Sequence, residues 1–556
     1  MTANQNAVII VCNEAYIPYA IVSLALFCSH NKGYDKFIIG KSFSSRARIL
    51  AQKDSVKLLE ADLSKDFINL DKRPYGRQYP IECFYHLYAY KLLPKHKFII
   101  QIEPDVYTNR TLDLNLNKIK YLAGSQGGGK VIANSFRNDR EKILKLNPKA
   151  DFDQNAKRSG FTIYNTAGLQ KIKFYEKIVE YYQKSWEIGA PRCGDDSLLM
   201  LYQSFHKDHV LLLDQAYNFL SNNPHEEDYT NYYHCHSVSS DKWWTGKVPT
   251  NDVERYYNEK FVEYLYNHFN PIFIKRFFPA LYVDIGTVEP IKFFYMKKGN
   301  NFGDLITPYL LKRFCKSGEY VEWPRETTHP KIISCGSIMR LSNPKTIVYG
   351  SGIRDIDQDI TPGITKIVRG PLTRKRIIEV GGKCHPIYGD PGLLMPLIYS
   401  PSIKKKYMLG IIPHVSQYQQ VSAMYGSQAY VTVIKLENEN IEETIDWILS
   451  CKKIVSSSLH GLIISDAYNI PNKWIQFADT IRGDGTKFQD YFLSVKRADK
   501  DFIDAIPYKL IPVRTLVQAI TPVVCVLDKQ RLLDNMFFTK TGIKPYTKYL
   551  MKTIQA

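Results

Sequence analysis

The sequence predicts an α/β protein, and two stretches carry this prediction. The apolar run AVIIVC at residues 7–12 is typical of a buried strand, and an amphipathic helical pattern and a second strand, KFIIG, follow it. In the second half, DWILSCKKIV indicates a short helix and a strand, and a polar turn containing His460 leads into another apolar helix. A length of 556 residues allows two to four domains, each with its own core.

Composition narrows the classes of partner. With 44% hydrophobic and 23% charged residues, the chain has the composition of a globular protein, but its formal net charge is +19. A charge of this size favours anionic partners. The basic residues are dispersed and form no nucleic-acid-binding signature, so we expect no nucleic acid partner. Nucleotide sugars and lipid-linked diphosphate acceptors at a membrane face fit the charge better.

Cysteine usage and hydropathy indicate a cytoplasmic protein. The ten cysteines are scattered without a CxxC pair, as expected of reduced thiols. No segment approaches the roughly 18 uninterrupted apolar residues of a membrane span, and the first residues run into a strand pattern without the features of a signal peptide. We therefore expect a soluble protein or one bound peripherally at the inner face of the membrane.

Two carboxylates in the first half indicate a metal site. The predicted strand KFIIQI ends in Glu103, Pro104 and Asp105, so both carboxylates lie at the carboxyl end of the strand. There they can share one divalent cation, which in nucleotide-sugar transfer bridges the two donor phosphates. A solvated loop is the alternative for an isolated pair of this kind.

Five segments between residues 6 and 242 carry a resemblance to a known family. They are VCNEAY, KFIIQIEPDVYTN, RSGFTIYNTAGL, GDDSLLM and HCHSVSSDKWW, and with them this half resembles the family 8 glycosyltransferases of GT-A fold. The resemblance implies a Rossmann-like GT-A domain over residues 1–269. It also implies a UDP-sugar donor, Mn²⁺ (or Mg²⁺) as cofactor, and retention of the anomeric configuration.

The same resemblance assigns roles to individual residues. It implies nucleotide-sugar binding by Asn13, Tyr16, Lys91 and Lys242, metal binding by Glu103, Asp105 and His236, and a place near the reacting centre for Asp195 and Asp196. Other interpretations stay open for some of them. The adjacent aspartates also suit the N-cap and first turn of the helix that follows, and His236 with His234 also suits a structural pair.

The first half departs from this family at several positions. Glu103 stands where aspartate is usual, and Asp196 replaces a glutamine. Lys91, Arg158 and Trp243 stand where the family has arginine, asparagine and proline. These changes indicate an unusual donor or acceptor, and they leave open a domain that binds sugar without transferring it.

Four segments of the second half share a pattern of strand, polar turn and helix. They are NFGDLITPYLL, VRGPLTR, YGDPGLL and SSLHGLIISDAYNIP. In open α/β sheets such turns meet at one edge, so together they predict a cleft lined by an imidazole, guanidinium groups and helix N-termini. A cleft of this kind suits a small phosphorylated anion.

The order of these four segments, from about residue 292 to 497, resembles the polysaccharide pyruvyltransferase family. The resemblance implies a GT-B-like domain of two doubly wound lobes over residues 290–556, with a C-terminal helical tail, after a junction at 270–289. Its donor would be phosphoenolpyruvate, whose pyruvate group becomes a cyclic ketal on a sugar of a lipid-linked or growing glycan. This chemistry requires no metal.

Such a reaction needs an acid, anion-binding groups and a base. His460 is the predicted acid, because an imidazole proton is available near neutral pH. Arg369 is the predicted anchor, because a guanidinium can hold a phosphate or carboxylate with two hydrogen bonds. Asp304 and Asp390 serve as orienting groups or bases in this interpretation, or as helix N-caps. The full set of predicted substrate-binding residues is Arg369, Arg374, Leu459, Ser458, Asn301, Asp304, Asp390 and Lys487.

Taken together, the two resemblances predict a bifunctional enzyme of cell-surface polysaccharide biosynthesis, such as capsule or lipopolysaccharide, that transfers a hexose and a pyruvate group. In one alternative, only the pyruvyltransferase is active, and the first half is a sugar-binding or acceptor-binding module. Another is a basic, non-enzymatic scaffold, which the ordered motifs of both halves disfavour. The basic end GIKPYTKYLMK suits either lipid head groups or a solvated terminal helix.

Overall fold

The chain forms two compact units, residues 1–282 and residues 283–556, in a computed structural model. The division falls inside the predicted junction at 270–289. The structure describes residues 5–555 except 71–79, 133–135, 137–138, 188–193, 221–228, 238–241, 248, 250, 285–289, 297–300, 316–319, 323–330, 480–482, 498–500, 523–524, 527 and 540–541.

A mixed seven-stranded sheet forms the centre of the N-terminal unit. The described strands of this unit are β1 (Asn6–Val11), β2 (Tyr34–Gly40), β3 (Val56–Glu60), β4 (Phe98–Ile102), β5 (Val106–Thr108), β6 (Leu122–Val131), β7 (Asn155–Asn165), β8 (Val210–Leu213), β9 (Phe219–Leu220) and β10 (His234–His236). The large sheet has the order β3-β2-β1-β4-β7-β6-β8, with β7 antiparallel to both neighbours and the other pairs parallel.

The predicted α/β class is confirmed in this unit. Residues 7–10 of β1 are fully buried, because helices cover both faces of the central strands, and this explains the continuous apolar run in the sequence. A mostly parallel sheet with helical connections is also what the predicted GT-A Rossmann-like domain requires. The described helices of this unit are α1 (Ile17–His30), α2 (Ser45–Lys53), α3 (Ala89–Leu92), α4 (Arg140–Leu146), α5 (Thr166–Lys171), α6 (Phe174–Glu187), α7 (Asp195–Phe205), α8 (Asp252–His268) and α9 (Pro271–Phe277).

A small sheet places His236 at the end of β4. Its order is β5-β10-β9, and β10 runs antiparallel to β5 with His236 opposite Val106. Because β5 begins directly after Asp105, this register brings the histidine to the loop that carries the two predicted metal carboxylates. The backbone N–H of Ser237 donates to the carbonyl of Asp105 at 3.1 Å and fixes the same arrangement.

Aromatic residues that follow β10 pack within the N-terminal unit. The ring of Trp243 is buried and stacks on Phe261 of α8, with ring centroids 4.6 Å apart, and on Phe278, at 5.2 Å. Phe278 belongs to the predicted junction, so part of that segment contributes to the core of this unit.

Two parallel five-stranded sheets form the C-terminal unit. Its described strands are β11 (Ile291–Phe294), β12 (Tyr320–Glu322), β13 (Lys331–Ile333), β14 (Thr346–Tyr349), β15 (Ile364–Ile367), β16 (Tyr407–Ile412), β17 (Val431–Val433), β18 (Cys451–Ser456), β19 (Asn472–Gln476), β20 (Phe502–Asp504), β21 (Phe538–Thr539) and β22 (Gly542–Ile543). One sheet has the order β12-β11-β13-β14-β15 and the other β17-β16-β18-β19-β20; β21 and β22 form a separate hairpin. These two parallel sheets fit the predicted pair of doubly wound lobes.

Helices connect the parallel strands of the C-terminal unit, as parallel pairing requires. The described ones are α10 (Phe302–Phe314), α11 (Pro371–Glu379), α12 (Met395–Ile398), α13 (Tyr418–Tyr425), α14 (Ile441–Leu449), α15 (Leu459–Ala467), α16 (Thr486–Ser494), α17 (Val513–Ala519), α18 (Lys529–Asp534) and α19 (Pro545–Gln555). Among the described residues, no helix combines the length and the apolar character needed to cross a bilayer.

A buried polar cluster holds the far end of α15. Arg497 is 1% exposed and donates to Asp466 Oδ2 at 3.3 Å and to Asn472 Oδ1 at 2.8 Å, while the hydroxyl of Tyr491 donates to Asp466 Oδ2 at 2.8 Å. The cluster joins α15 to β19 and α16. Because a buried charge pair depends on both partners, we expect it to fix the position of α15 rather than to add much net stability.

Candidate active sites

Glu103, Asp105 and His236 form a compact acidic and imidazole cluster in the N-terminal unit. His236 Nε2 lies 3.1 Å from Glu103 Oε2 and 3.4 Å from Asp105 Oδ1, and one potential ligand atom from each residue lies within 4.8 Å of the others. Two carboxylates and an imidazole are a donor set that suits a divalent cation. Among the described residues, these three are the His, Cys, Asp or Glu side chains that lie close enough together to hold one metal ion.

A glycine makes room for the imidazole of this cluster. Gly160 has φ +85°, and a Cβ at this position would lie 2.6 Å from His236 Nδ1. Any larger residue would therefore displace the ring. The same segment, RSGFTIYNTAGL, is one of the five that carry the resemblance of this half, and here it positions the histidine.

Charge dominates the electrostatics of the cluster. Burial disfavours a charged His236, but the carboxylates of Asp105 and Glu103 outweigh it and raise the pKa of His236 to about 10. Burial likewise acts against a charged Asp105, but His236 and Lys242 outweigh it and lower the pKa of Asp105 to about 2. Lys242 Nζ donates to Asp105 Oδ2 at 2.5 Å and also to the carbonyl of Ser237. Lys242, which is predicted to bind the donor, therefore contacts the acidic and imidazole cluster.

Asp195 and Asp196 occupy the first turn of α7. The N-cap is Gly194, so the N-cap interpretation of this pair is wrong, whereas the first-turn interpretation describes their backbone position and does not exclude a second role for their side chains. Asp195 Oδ2 lies 2.8 Å from His86 Nε2, and the other ring nitrogen of His86 is hydrogen-bonded to the hydroxyl of Tyr164. A Tyr164, His86 and Asp195 chain of hydrogen bonds thus ends at the predicted reacting centre.

Sequence reasoning missed His86, because it lies in the helical pattern ECFYHLYAYKLLP with no motif around it. It also missed Lys157, which is 3% exposed and packs its alkyl chain on Gly124, where a Cβ would lie 2.6 Å from Lys157 Cγ. Burial lowers the pKa of Lys157, and the charges of Asp196, Asp195 and, more weakly, Glu103 oppose that shift. Lys157 lies in β7, and nothing in the sequence around it signalled this placement.

The predicted nucleotide-binding residues are placed in different ways. Asn13 Oδ1 accepts a hydrogen bond from the backbone N–H of Ala15 at 3.1 Å and caps a short 3-10 turn. The ring of Tyr16 is 43% exposed, as stacking on a base requires, and lies edge-on to Trp244.

Lys91 does not lie with the other predicted donor-binding residues. Its ammonium is paired with Glu176 and lies over the ring of Tyr175. It lines a cavity of about 630 Å³ that also contains Asp62 and Asp66 and none of the metal cluster. This placement does not support the predicted role of Lys91 in donor binding. His86, and not Lys91, contacts Asp195 near the predicted reacting centre.

His460 lies in the first turn of α15, at the carboxyl end of β18. Its ring packs against Gly303 in the first turn of α10, where a Cβ would overlap His460 Nδ1. Asn301 caps α10 and accepts a hydrogen bond from the backbone N–H of Gly303 at 3.2 Å. The predicted turn residue Asn301 therefore sets the glycine against the imidazole. Residues 299 and 300 of the same motif lie outside the described residues.

Asp390 is the carboxylate that faces His460. It is fully buried, its Oδ2 lies 3.7 Å from His460 Nε2, and its Oδ1 accepts from the backbone N–H of Gly392 at 2.9 Å. Both sequence interpretations of Asp390, helix cap and orienting group, are thus compatible with its position. Burial lowers the pKa of His460, Asp390 opposes that shift, and the charges of Arg369 and Lys487 add to it.

Arg369 is fully buried in the same unit. Its Nη1 donates to Ser337 Oγ at 2.7 Å, its Nη2 donates to the carbonyl of Ile353, and its Nε lies 3.3 Å from Asp490 Oδ2. Both Nη atoms therefore have protein hydrogen-bond partners, whereas Nε, although close to Asp490, makes no hydrogen bond with any described residue. To bind a substrate anion with two hydrogen bonds, the guanidinium would have to give up some of these protein contacts. Its positive charge nevertheless acts on His460.

Lys487 supplies a second cation near His460. It is partly buried, and burial together with the charges of Arg369 and Arg354 lowers its pKa to about 8. Arg374, in contrast, donates to the carbonyl of Cys384 at 3.0 Å. Of these two predicted substrate-binding cations, Lys487 is the one whose charge acts on His460.

The remaining predicted residues lie at the ends of α15 and α10. The backbone N–H of Ser458 donates to Ser456 Oγ at 3.0 Å, and Leu459 is buried. Asp304 lies in the first turn of α10, close to Gly336, and burial raises the pKa of its carboxyl to about 7. A carboxyl with this pKa can give or take a proton at neutral pH.

His414 is a further candidate that sequence reasoning missed. It follows β16, and its backbone N–H donates to Ser457 Oγ at 2.9 Å. Burial and the charge of Lys487 lower the pKa of His414. The rule that ligands bind at the carboxyl ends of parallel strands could have found it, because it follows the strand YMLGIIP just as His460 follows β18.

Comparison with known proteins finds a family whose model matches part of this chain. Residues 210–475 match the model of the family described as Polysaccharide pyruvyl transferase. The match covers just under half of the chain. The match contains Arg369, Asp390 and His460 and begins inside the N-terminal unit.

Individual proteins are also similar to this chain in sequence or in structure. The uncharacterized protein L143 of Acanthamoeba polyphaga mimivirus is 29% identical over 220 residues, which are 37% of this chain and 75% of that protein. Among solved structures, the galactosyltransferase LgtC is 13% identical with a TM-score of 0.35, over 47% of this chain and 94% of that one. The glycosyltransferase GlyE of Streptococcus pneumoniae TIGR4 is 13% identical with a TM-score of 0.33, over 81% and 92%.

Proposed function

We propose that the protein is a bifunctional enzyme of polysaccharide biosynthesis. Its C-terminal unit transfers pyruvate from phosphoenolpyruvate to a sugar as a cyclic ketal, and its N-terminal unit transfers a hexose from a UDP-sugar. The observation that carries the proposal is the position of His460, whose Nε2 lies 3.7 Å from the buried carboxylate of Asp390 and on which the charges of Arg369 and Lys487 act.

The charges of the C-terminal unit suit phosphoenolpyruvate, which carries a phosphate and a carboxylate. Arg369 and Lys487 attract such an anion and lower the pKa of His460 in its absence. A bound anion would offset these positive charges and favour the protonated imidazole. His460 is thereby charged as an acid when the donor is bound, and Asp390 stabilises that charge from 3.7 Å.

The proposed reaction proceeds by an addition and then a substitution. A proton from His460 goes to the methylene carbon of phosphoenolpyruvate, which becomes a methyl group, and the first sugar hydroxyl forms a C–O bond at the carbon that bears the phosphate. The second hydroxyl forms a C–O bond to the same carbon as the bond to phosphate breaks. One hydroxyl proton restores His460 and the other leaves with inorganic phosphate. Asp304, with a pKa of about 7, is the candidate base for the hydroxyl protons.

In the N-terminal unit, Glu103, Asp105 and His236 would hold Mn²⁺ or Mg²⁺, since their ligand atoms lie close enough to share one ion. The ion supplies charge neutralisation for a leaving diphosphate. Lys242 lies against Asp105 and can donate to the same diphosphate. Asp195, held by His86, would accept a hydrogen bond from a hydroxyl of the sugar.

The acceptor we propose is a lipid-linked or growing glycan at the inner face of the membrane, reached by a cytoplasmic protein that contacts the surface peripherally. The net charge of +19 supports this location. So does α9, on which Ile272 is 78% exposed and Lys275 and Arg276 are exposed beside it.

The test measures phosphate release from phosphoenolpyruvate with a lipid-linked acceptor and candidate UDP-hexoses. We expect His460→Ala to abolish release with every acceptor. We expect Asp105→Ala to abolish release only when the acceptor must first be glycosylated. Release by His460→Ala at the parent rate would refute the catalytic role. Unchanged release by Asp105→Ala on the unglycosylated acceptor would favour the alternative, in which the N-terminal unit only binds sugar.

A further inference from the structure

A second cavity lies in the C-terminal unit, and Lys487 is part of its wall. Its volume is about 540 Å³, within the usual range for small-ligand sites. It is formed by β19, the start of α16 and the start of β20. Apart from Leu372 and Trp474, its lining residues follow position 475, where the family match ends. The match therefore does not cover most of this cavity.

Three aromatic rings form one wall of the cavity. The ring of Trp474 stacks on that of Phe488, with centroids 4.3 Å apart and planes 15° apart, and Phe502 lies 5.0 Å from Trp474. Trp474 and Phe488 are buried, whereas Phe502 is 41% exposed. The buried pair thus supports a ring that is presented to solvent. The negative face of an aromatic ring attracts C–H groups, such as those on one face of a pyranose.

Hydrogen-bond acceptors form much of the remaining wall. Gln476, Asp479, Asp484 and Asp501 line the cavity, and the three aspartates are exposed. Carboxylates and amide oxygens accept hydrogen bonds from hydroxyl groups. Among the described lining residues these three carboxylates outnumber the one cation, Lys487, and so repel an anion. The lining therefore suits a neutral ligand with many hydroxyl groups better than it suits phosphoenolpyruvate.

Lys487 belongs both to this cavity and to the surroundings of His460. It lines the cavity, and its positive charge acts on His460 and on His414. A ligand that fills the cavity therefore lies next to a group within electrostatic reach of the proposed acid. A direct contact also joins the two sites, because Leu372 of the cavity lining donates its backbone N–H to Asp490 Oδ1 at 2.8 Å, and Asp490 Oδ2 lies 3.3 Å from Nε of the predicted donor anchor Arg369.

We propose that this cavity is the acceptor-sugar subsite of the pyruvyl transferase domain and that it takes a neutral pyranose. The aromatic wall holds the apolar face of the ring, and the carboxylates hold its hydroxyl groups. The acceptor role rests on the pyruvyl transfer proposed above, whereas the binding of a neutral sugar does not.

Binding to the full chain tests the proposal, with methyl glycosides of glucose, galactose and mannose as probes and isothermal titration as the readout. For the probe that binds most tightly, we expect Phe502→Ala to weaken binding at least tenfold. Phe502→Tyr, which keeps the ring, should stay within twofold of the parent. Ile378→Ala removes a side chain of similar exposure on α11, away from the cavity lining, and should leave binding unchanged.

A second series tests the charge of the ligand. We expect methyl glucuronide to bind at least tenfold more weakly than methyl glucoside, and Asp479→Asn to reduce this difference. Equal or tighter binding of the glucuronide would overturn the neutral class. Failure of all three neutral glycosides to bind, or equal binding to the parent and Phe502→Ala, would overturn the subsite.

Phosphoenolpyruvate binding separates this proposal from the proposed function. We expect Phe502→Ala to bind phosphoenolpyruvate as the parent does. Loss of glycoside binding on Phe502→Ala, together with no phosphate release from the parent with any acceptor, would keep the sugar subsite and refute the transfer. Phosphate release by the parent, together with glycoside binding that does not change in Phe502→Ala, would keep the transfer and refute the sugar subsite.

Discussion

His86 and His460 each face a carboxylate, and the two pairs differ in their contact. His86 Nε2 lies 2.8 Å from Asp195 Oδ2, a hydrogen bond that fixes the direction of both side chains. His460 Nε2 lies 3.7 Å from Asp390 Oδ2, too far for a hydrogen bond. Asp390 therefore acts on His460 mainly through its charge, which stabilises the protonated ring.

Asp390→Asn should lower the activity of the C-terminal unit and shift its pH profile. The Asp390 charge opposes the low pKa of His460, so its removal lowers that pKa further and leaves less protonated His460 at neutral pH. The rate should fall about tenfold for each unit of pKa, and the limb on which the rate declines with rising pH should move to lower pH. The measurement is kcat/KM for phosphoenolpyruvate against pH.

Asp446→Asn is the matched control for this change. Asp446 accepts from the hydroxyl of Tyr399 in the same unit and is absent from the charges that act on His460. Its profile should coincide with that of the parent. An Asp390→Asn profile with an unmoved limb would contradict the electrostatic role of Asp390.

His86→Asn should lower sugar transfer by about ten to a hundredfold, because Asp195 loses the group that holds it. His96→Asn is the control, since His96 makes a similar contact with Asp35, at 3.1 Å, away from α7. Only the first variant should lose transfer from a UDP-hexose, and both should release phosphate from phosphoenolpyruvate at the parent rate on a glycosylated acceptor. Equal transfer by the two variants would contradict a positioning role for His86.

At the scale of elements, each unit places a glycine against its proposed active histidine. Gly303 at the start of α10 touches His460, and Gly160 within β7 touches His236. A methyl group at either position would require the ring to move. The histidine positions thus depend on elements distant in sequence as well as on the strands that carry them.

Gly303→Ala and Gly160→Ala should therefore each remove one activity. We expect Gly303→Ala to reduce phosphate release at least a hundredfold and to leave sugar transfer unchanged, because its Cβ would overlap His460 Nδ1. Gly160→Ala should do the opposite. Each variant serves as the folding control for the other, and loss of both activities in either one would point to unfolding instead.

The polar cluster below α15 makes a prediction about stability. Asp466→Ala leaves Arg497 buried without its carboxylate, at a cost of about 3–5 kcal/mol. Tyr491→Phe removes one hydrogen bond and should cost about 1 kcal/mol. Denaturant unfolding followed by a probe in the C-terminal unit should rank the two variants in this order. Equal losses would mean that Arg497 finds another partner.

Elements and residues differ in how far the sequence predicts them. The apolar run of β1, the carboxylates after β4 and the turn before α15 are local patterns, and the structure places them as expected. The contact between His86 and Asp195 joins residues 109 positions apart and has no local pattern. The packing of a side chain, which the sequence does not show, decides whether it is free to bind a ligand. Arg369 has the type of side chain that binds anions, but only its packing showed that protein groups already bind both of its Nη atoms.

At the scale of the whole molecule, two compact units on one chain allow their ligands to be tested separately. Mn²⁺ should stabilise the parent protein, by about 2.7 kcal/mol at a hundred times its dissociation constant, and should not stabilise Asp105→Ala in this way. Phosphoenolpyruvate should stabilise both proteins alike. Thermal unfolding with each ligand provides the measurement, and a manganese effect that survives Asp105→Ala would place the ion elsewhere.

The joining of two units in one polypeptide also fixes their numbers. A cell that makes this protein makes one sugar-transfer centre for every pyruvyl transfer centre, whatever the level of expression. On the proposed function, the fraction of glycan residues that carry the ketal would then depend on the relative turnover of the two centres and on the supply of their donors. Gene dosage would change the amount of polysaccharide and leave its degree of pyruvylation constant.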